Sequence, residues 1–512
     1  MRKLIFLFFI GVFISLSSCR QDFVFEPSTG DLKFSRDTIY LDTVFANIGS
    51  STYTLKVYNK SSKDIKIPTI QLGKGQASKY RMTVDGMTGE NNRVFHDVEV
   101  LAKDSMYIFI ETTAGISDAN PTDFLYTDQI QFDSGANFQK VELVTLIQDA
   151  YFIFPNKTNG VIEQIPIGFN EDGTVLETNG RNLSNNHPDN GDEYLFKTDK
   201  PYVVYGYASV PNGETLTIPG GARVHFHADS GLVIQQGGSL NITGSTSSTT
   251  ALENEVIFEG DRLEPGFSDV PGQWGTVYLR QGSASQITNL TLKNAIVGLL
   301  VENNAGLMNI TDTQIYDCSN YGILTYNGTI NGKKVVINNC GQFCLAAALG
   351  GDYNFTNCTF NNNWSSSKQL AVYVSDYLKD ATPEILPLVQ ANFTNCIIYG
   401  SNSNEIILEK RGPESDFNKL FQNCLVKINV TPGSASVANP FLYDAIRLEQ
   451  NGNKINKTPN FFDVNKNNLI IGEDSFAKGM GIDAGIPFDI LGNPRVSPYD
   501  VGAYNFIIFP AD

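Results

Sequence analysis

The pentad NFTNC occurs at residues 354–358 and returns unchanged at residues 392–396. Repetition of this kind is the sequence signature of a repeat architecture, in which each copy forms one layer of a stack. Weaker copies with the same pattern are QITNLTLKNA (286–295), NITDTQIYDC (309–318), KKVVINNC (333–340) and LFQNCLVKI (420–428).

Aligned, the copies form columns. Residues two apart on a strand point the same way, so two columns at that spacing predict an inward-facing pair in every layer. The first column is Leu290, Thr313, Val335, Cys358, Cys396 and Cys424, and the second is Leu292, Ile315, Ile337, Phe360, Ile398 and Val426. A third column, of residue types that tolerate left-handed backbone at a turn, precedes them: Asn289, Asp312, Asn357, Asn395 and Asn423.

The repeat is about 22 to 23 residues long, with insertions in its last two turns. Upstream it divides into inward pairs at steps of eight, which are Leu216 and Ile218, Val224 and Phe226, Leu232 and Ile234, and Leu240 and Ile242. Three short strands per turn predict a parallel β-helix, which the crossover rule makes right-handed. A leucine-rich repeat remains an alternative, since Ile287, Leu290 and Leu292 fit its frame, although the return segments carry a strand pattern.

Residues 31–150 have a different texture, with alternating runs such as STYTLKVYN and DSMYIFIET between polar turns. This pattern predicts a compact antiparallel sandwich. Its order resembles the immunoglobulin-like modules that follow lipoprotein anchors, without the paired cysteines of antibody domains.

From Gly213 onward, GETLTIPGGARVHFHADSGLVIQQGGSL, VIFEGDR and PGQWGTVYL resemble the right-handed β-helix repeat lipoproteins of Bacteroidetes-type bacteria, and DVGAY at 500–504 resembles their terminal motif. The resemblance implies an all-β chain, with a right-handed parallel β-helix of the pectate-lyase-like type after an immunoglobulin-like β-sandwich. It also implies envelope location more firmly than any activity, because the family has no assigned reaction.

The expected organisation therefore has six parts. They are a signal peptide (1–18), a lipid anchor and tether (19–30), the sandwich (31–150), a connecting segment and N-terminal cap (151–210), the β-helix (211–440), and a C-terminal coil and cap (441–512).

The first residues predict the location of the protein. Arg2 and Lys3 precede the apolar run LIFLFFIGVFISL, which is too short to span a bilayer. The following LSSC resembles a lipobox, and this resemblance implies cleavage before Cys19 and lipidation of its sulfur. We expect an outer-membrane lipoprotein, with the periplasmic or surface-facing side left open.

Charge narrows the partners. The chain of 512 residues has 37 basic and 54 acidic side chains and a formal charge of -17. Nucleic acid is excluded as a partner because its phosphates would be repelled. The expected partners are the membrane, through the lipid, and a polysaccharide or another envelope protein.

The remaining cysteines fit interior positions of the stack. Their spacings match no metal-binding template, and their disulfide state is left open. These residues are Cys318, Cys340, Cys344, Cys358, Cys396 and Cys424.

Pectin hydrolases with this fold carry N-T-D, paired D-D, G-H-G and R-I-K signatures. None of these is present in the sequence. Two insertions collect the acids and bases that a lyase would need, and the pattern favours solvated loops over a catalytic site. The candidates are Asp376, Lys379, Asp380 and Glu384, and then Glu405, Glu409, Lys410 and Arg411.

Three further clusters contain residue types that are common in binding sites. HFHAD places two histidines and an acid on one outward strand face, DVNKNNLIIGED approaches calcium-loop spacing, and GDRLEPGFSDVPGQWG carries aromatics beside polar groups. For each cluster, a structural interpretation is favoured over a binding site. We therefore expect no cofactor, and Ca²⁺ is the alternative. The residues are His225, His227 and Asp229; Asp463, Asn465, Asn467 and Asp474; and Arg262, Phe267 and Trp274.

Together these features favour non-catalytic binding of a glycan or a surface partner along a solenoid face. The alternatives are a lyase or glycoside hydrolase acting on an acidic polysaccharide, and a purely structural envelope protein.

Overall fold

A computed structural model describes residues 24–169, 174–302, 306–364, 366, 368–378 and 384–510. Three predicted site residues, Cys19, Lys379 and Asp380, lie outside this part of the chain. The chain divides into two compact units, Met1–Asp149 and Ala150–Asp512.

Within its described residues, the first unit has ten strands in two sheets. One sheet has the order β1-β5-β9-β10-β3, with β7 beside β5, and the other has the order β2-β4-β8-β6. The strands are β1 (Glu26–Pro27), β2 (Lys33–Phe34), β3 (Thr38–Phe45), β4 (Tyr53–Tyr58), β5 (Ile65–Leu72), β6 (Tyr80–Val84), β7 (Val94–Val100), β8 (Ser105–Thr112), β9 (Leu125–Phe132) and β10 (Gln139–Gln148).

Alternate residues of these strands, such as Leu55 and Val57 on β4 and Ile108 and Ile110 on β8, form one buried core. Most strand pairs are antiparallel, as expected. However, β3 pairs with β10 and β1 with β5 in parallel. No hairpin joins either pair, so the chain is free to bring them together in the same direction.

The second unit contains 33 strands and two short helices within the described residues. Its strands are β11 (Tyr151–Ile153), β12 (Lys157–Thr158), β13 (Val161–Ile162), β14 (Gln164–Phe169), β15 (Val175–Asn182), β16 (Tyr202–Val204), β17 (Tyr207–Val210), β18 (Thr215–Pro219), β19 (Arg223–Phe226), β20 (Gly231–Ile234), β21 (Ser239–Thr243), β22 (Val256–Gly260), β23 (Trp274–Leu279), β24 (Ala284–Thr288), β25 (Leu290–Lys293), β26 (Ala295–Glu302), β27 (Met308–Thr311), β28 (Gln314–Cys318), β29 (Tyr321–Tyr326), β30 (Thr329–Lys333), β31 (Val336–Cys340), β32 (Phe343–Ala348), β33 (Gly351–Thr356), β34 (Thr359–Asn362), β35 (Leu370–Ser375), β36 (Leu388–Thr394), β37 (Ile397–Gly400), β38 (Ile406–Glu409), β39 (Phe417–Gln422), β40 (Leu425–Val426), β41 (Lys454–Ile455), β42 (Phe461–Asp463) and β43 (Asn468–Ile471). The helices are α1 (Ala435–Ala438) and α2 (Pro440–Arg447).

Most of these strands form three long sheets, parallel except at β14–β15, which the chain visits in a fixed rotation. Strand β18 lies in sheet III, β19 in sheet I, β20 in sheet II, and β21 lies in sheet III again. Sheet I is β11-β16-β19-β22-β25-β28-β31-β34-β37-β40-β41, sheet II is β14-β15-β17-β20-β23-β26-β29-β32-β35-β38, and sheet III is β18-β21-β24-β27-β30-β33-β36-β39.

The strand register confirms the predicted columns. Leu216 pairs with Leu240, so three steps of eight residues return the chain to the same sheet. Leu292 pairs with Ile315, which pairs with Ile337. The two pentads lie side by side, with Asn354 against Asn392.

Two predictions need correction. The return segments that a leucine-rich repeat would make helical are strands, among them β26, β29, β32 and β35, so that alternative is wrong. The long sheets also begin earlier than the predicted start at residue 211, because β11 already pairs in parallel with β16.

The turn column has the predicted backbone. Asn289 and Asp312 have φ of 50°, Asn357 and Asn395 have 52°, and Asn423 has 51°. These are left-handed values that Asn and Asp adopt more readily than other side chains.

All six described cysteines are free and buried. Cys318 pairs in register with Cys340 on the next strand of sheet I. Burial raises the pKa of the Cys318, Cys340 and Cys396 thiols well above the usual value. They therefore serve as small apolar core residues at neutral pH.

The C-terminal segment does more than the expected end cap. Leu442, Tyr443 and Ile446 of α2 join the end of the main core. Beyond α2, the chain returns along the outer surface of sheet I, where Leu469 and Ile490 pack with Val336. Within the described residues, no helix has the length and apolar character needed to cross a membrane.

Candidate functional site

An aromatic surface lies on the outer side of sheet II. Ile323, Leu345 and Val372 of β29, β32 and β35 belong to the core. Other residues of the same strands lie outside that core cluster, and together they form what we call the aromatic platform: Tyr321, Leu324, Phe343, Ala346 and Tyr373.

The rings of the platform are ordered by the strand stacking. The Tyr321 and Phe343 ring centroids are 5.8 Å apart, and those of Phe343 and Tyr373 are 5.2 Å apart with an interplanar angle of 13°. All three side chains are half-buried. Ala346, which pairs with Leu324 and Tyr373, is only 2% exposed, so the neighbouring side chains cover it.

Polar groups border the platform. The hydroxyls of Tyr373 and Tyr377 donate to the same Glu409 oxygen at 2.9 and 3.0 Å. The Tyr321 hydroxyl donates to Gln342 at 2.6 Å. Burial raises the pKa of Tyr373, so its hydroxyl remains protonated across the physiological range.

An ordered set of half-exposed rings with polar groups at its margin suits a ligand that has both apolar faces and hydroxyl edges. Sugar rings have this character. The sequence reasoning missed the platform, although a signal was present: YGILTY, FCLAAA and LAVYVS each place an aromatic on an otherwise uncharged strand.

Three of the catalytic candidates, Asp376, Lys410 and Arg411, lie together and stabilise the loop at residues 410–412. Asp376 is 1% exposed and accepts hydrogen bonds from the backbone N–H groups of Arg411 and Gly412 at 2.8 and 2.9 Å. Lys410 donates to the Gly412 carbonyl at 2.7 Å, and Arg411 lies over the Tyr377 ring at 4.3 Å. The expectation of solvated loops is wrong for Asp376, because its carboxylate is used internally.

Glu405 is also buried, contrary to that expectation. Its carboxyl accepts the N–H groups of Ala371 at 3.0 Å and Asn402 at 2.6 Å. Removal from water outweighs both donors and raises its pKa to about 8. Glu384, in contrast, is exposed.

The histidine cluster forms the predicted exposed face only in part, because His227 and Asp229 are exposed whereas His225 is buried. His225 is 5% exposed, lies 3.3 Å from the Gly260 carbonyl through Nδ1, and has its pKa lowered by burial. His227 Nδ1 pairs with Asp261 at 2.7 Å, which raises its pKa. Asp229 occupies a left-handed turn with φ of 56°.

The remaining candidates also separate. Arg262 lies 3.5 Å from the Phe267 ring centroid, whereas Trp274 is fully buried and donates to the Lys293 carbonyl. Trp274 is therefore not an exposed ligand-binding ring, because it begins β23 facing the core. It stacks on Phe226 at 4.3 Å.

The predicted cap loop is held by a hydrogen bond within the loop and by another to β31. Asp463 accepts from the Asn465 N–H at 3.1 Å, and Asn467 contacts Asn338 at 2.7 Å, while Asp474 is exposed. Among the described residues, no three His, Cys, Asp or Glu side chains are grouped closely enough to hold a metal ion.

A second site is a cleft of ≈ 360 Å³ on the outer side of sheet I, lined in part by Thr291, Lys293 and Gln314. The Glu255 carboxylate accepts from Thr291 at 2.9 Å and from Gln314 at 3.4 Å. Burial raises the pKa of Glu255. Lys293 forms an ion pair with Glu259 at 2.9 Å.

No family model matches the chain, and no curated protein matches it.

Solved structures with local similarity include the PapD-like domain 7 of human CEP192, at 14% identity over 26% of this chain and 96% of that one, with a TM-score of 0.15. The E. coli chaperone DraB matches at 12% identity over 28% and 61%, with a TM-score of 0.16. The catalytic unit of a GH87 alpha-1,3-glucanase from Streptomyces thermodiastaticus matches at 12% identity over 73% and 79%, with a TM-score of 0.20.

Proposed function

We propose that this chain is a lipid-anchored cell-envelope protein that binds a glycan on its aromatic platform without catalysis. Its second unit is a right-handed parallel β-helix of the pectate-lyase-like type, and its first is an immunoglobulin-like sandwich. The β-helix assignment is supported by the fixed rotation of the chain through sheets III, I and II. The right-handed sense follows from the rule for parallel crossovers.

One observation carries the binding function. Tyr321, Phe343 and Tyr373 form a continuous series of half-buried rings with centroid spacings of 5.8 and 5.2 Å. Rings fixed by a sheet and by their neighbours lose little conformational freedom when a ligand packs against their exposed edges, so less binding free energy is spent on ordering them. Hydroxyl and carboxylate groups at the margin supply directional partners for sugar hydroxyls.

Glycan-array screening followed by titration of the best ligand tests this function. Phe343→Ala removes the central ring, and we expect binding to weaken at least about tenfold, which corresponds to about 1.4 kcal/mol. Tyr40→Ala is the matched control, since Tyr40 is an aromatic of the first unit that is 64% exposed. Absence of glycan binding by the unaltered protein, or equal binding by Phe343→Ala, would contradict the proposal.

The lipid anchor is supported by the charged start, the short apolar run and the small residues before Cys19. Expression with a radiolabelled fatty acid should label the native chain, and Cys19→Ser should abolish the label and release the protein from the membrane fraction. Labelling that survives Cys19→Ser would show that the anchor assignment is wrong.

An enzyme acting on a polysaccharide is a second candidate, favoured by the raised pKa of Glu255 beside the sheet I cleft. A carboxyl whose pKa is raised beside a cleft is suited to a general acid. Release of reducing or unsaturated sugar ends from any polymer, lost in Glu255→Gln but retained in Phe343→Ala, would replace the binding function with this one.

A further inference from the structure

We propose that the aromatic platform is selective for uncharged glycans and discriminates against polyuronates. This inference rests on the proposed glycan binding and names the class of ligand. It opposes the expectation that an enzyme of this fold would act on an acidic polysaccharide.

The first observation is the absence of charge along three successive strands. Strands β29, β32 and β35 read YGILTY, FCLAAA and LAVYVS and contain no Asp, Glu, Lys or Arg. A ligand lying across Leu324 and the ring edges of the platform therefore meets apolar atoms and hydroxyls. No side chain of these strands offers a cation to a bound carboxylate.

The second observation concerns the charges at the margins. At one end, Glu409 accepts from Tyr373 and Tyr377, while Arg411 lies over the Tyr377 ring. At the other end, the Tyr278 hydroxyl donates to Glu302, and Arg280 donates to Gln235 at 2.9 Å. At each margin, therefore, the described residues include a carboxylate as well as a guanidinium, namely Glu409 beside Arg411 and Glu302 beside Arg280.

The energetic consequence is selective. Packing a pyranose ring against the exposed edge of Phe343 removes water from both surfaces, which is favourable for an uncharged sugar. The same placement partly desolvates the carboxylate of a uronic acid, and this costs free energy unless a cation compensates. The formal charge of -17 adds a general repulsion of polyanions that salt can screen.

The test compares an uncharged polysaccharide panel with polyuronates in affinity electrophoresis, using the full chain and a chelator to remove divalent ions. We expect retardation by at least one uncharged polymer and at least about tenfold weaker binding of every polyuronate. Binding of the uncharged polymer should change little between low and high salt, because no ion pair is formed.

A charge introduced into the platform provides the decisive variant. Leu324→Lys places a cation between Tyr321 and Ala346, and we expect it to gain polyuronate binding that declines with salt. Leu324→Gln is the matched polar control without charge and should gain none. Thermal unfolding of both variants confirms that they remain folded.

The outcomes separate the two proposals. If no polymer binds the unaltered protein, the glycan-binding function itself fails. If polyuronates bind as tightly as uncharged polymers and Phe343→Ala weakens both, the binding function stands and the selectivity proposed here is wrong.

Discussion

The rings of Phe355 and Phe393, which hold the same position in the two copies of the pentad, stack with centroids 5.5 Å apart and an interplanar angle of 19°. Phe393 also stacks on Phe421 of the next copy at 5.1 Å and 4°. A sequence repeat has thus become a continuous column of aromatic contacts inside the second unit. Each such pair adds about 0.5–1.5 kcal/mol to the effect of burial.

Truncation at the centre of this column should destabilise the second unit. Phe393→Ala removes the ring that stacks on both Phe355 and Phe421, and it leaves a cavity. We therefore expect the free energy of unfolding to fall by about 3–5 kcal/mol. Chemical denaturation followed by tyrosine fluorescence measures the change. Phe488→Ala is the control, because Phe488 is 49% exposed and its loss should cost less than about 0.5 kcal/mol.

The left-handed turn column should prefer glycine to alanine. Asn289 has φ of 50° and is 4% exposed. Asn289→Ala places a Cβ in an unfavourable conformation and should destabilise the protein by about 1–2 kcal/mol, whereas Asn289→Gly should cost less. The comparison requires only melting temperatures, and an equal or larger loss for glycine would show that the backbone conformation does not decide the residue.

Stability should depend on pH through Glu405. Its pKa is raised to about 8 by burial, so the folded state holds a proton that the unfolded chain releases above its ordinary pKa. This contribution is fully present below the unfolded pKa and is lost as pH rises through about 8.

Melting temperatures recorded from pH 5 to pH 9 should therefore fall for the unaltered protein, with a flatter profile for Glu405→Gln. The glutamine variant cannot ionise, but its single amide oxygen replaces only one of the two acceptors that the Ala371 and Asn402 N–H groups use. The slope of its profile with pH, and not its absolute melting temperature, therefore reports the ionisation of Glu405. Parallel profiles for the two proteins would remove Glu405 as the cause.

The six buried cysteines should be unreactive in the folded protein. In Cys19→Ser, a thiol reagent should label none of them under native conditions and all six after denaturation. Mass spectrometry counts the labels. Fewer than six labels after denaturation without reductant would reveal disulfide bonds and contradict the free thiols described above.

The interior of the second unit could be predicted because stacked layers require the same residue type at the same place. Leu292, Ile315 and Ile337 follow this rule, and they pair in register. His225 shows its limit: alternation places it away from the core, but only the structure shows that neighbouring groups cover it. Trp274 shows a second limit: the loop before it is polar, but Trp274 itself begins a strand and faces the core.

The aromatic platform was missed for a related reason. Tyr321, Phe343 and Tyr373 lie on three different layers, and their distances in sequence vary with the insertions between layers. Their proximity depends on the sheet register and on which side of each strand faces outward. Aromatics on otherwise uncharged strands are the signal that locates them, whereas acid and base motifs point to the charged loops around Glu409.

The segment beyond α2 gives the folding of this chain a direction. Asn395 both donates to and accepts from the backbone of Ile482, at 2.8 and 3.0 Å, and Asn357 donates to the Gly502 carbonyl at 3.3 Å. Residues 482–502 are therefore synthesised well after the layers that they fasten. A chain that stops before residue 482 would lose these contacts and uncover apolar residues such as Val336 and Ile397, so it should be cleaved faster by proteases than the full chain.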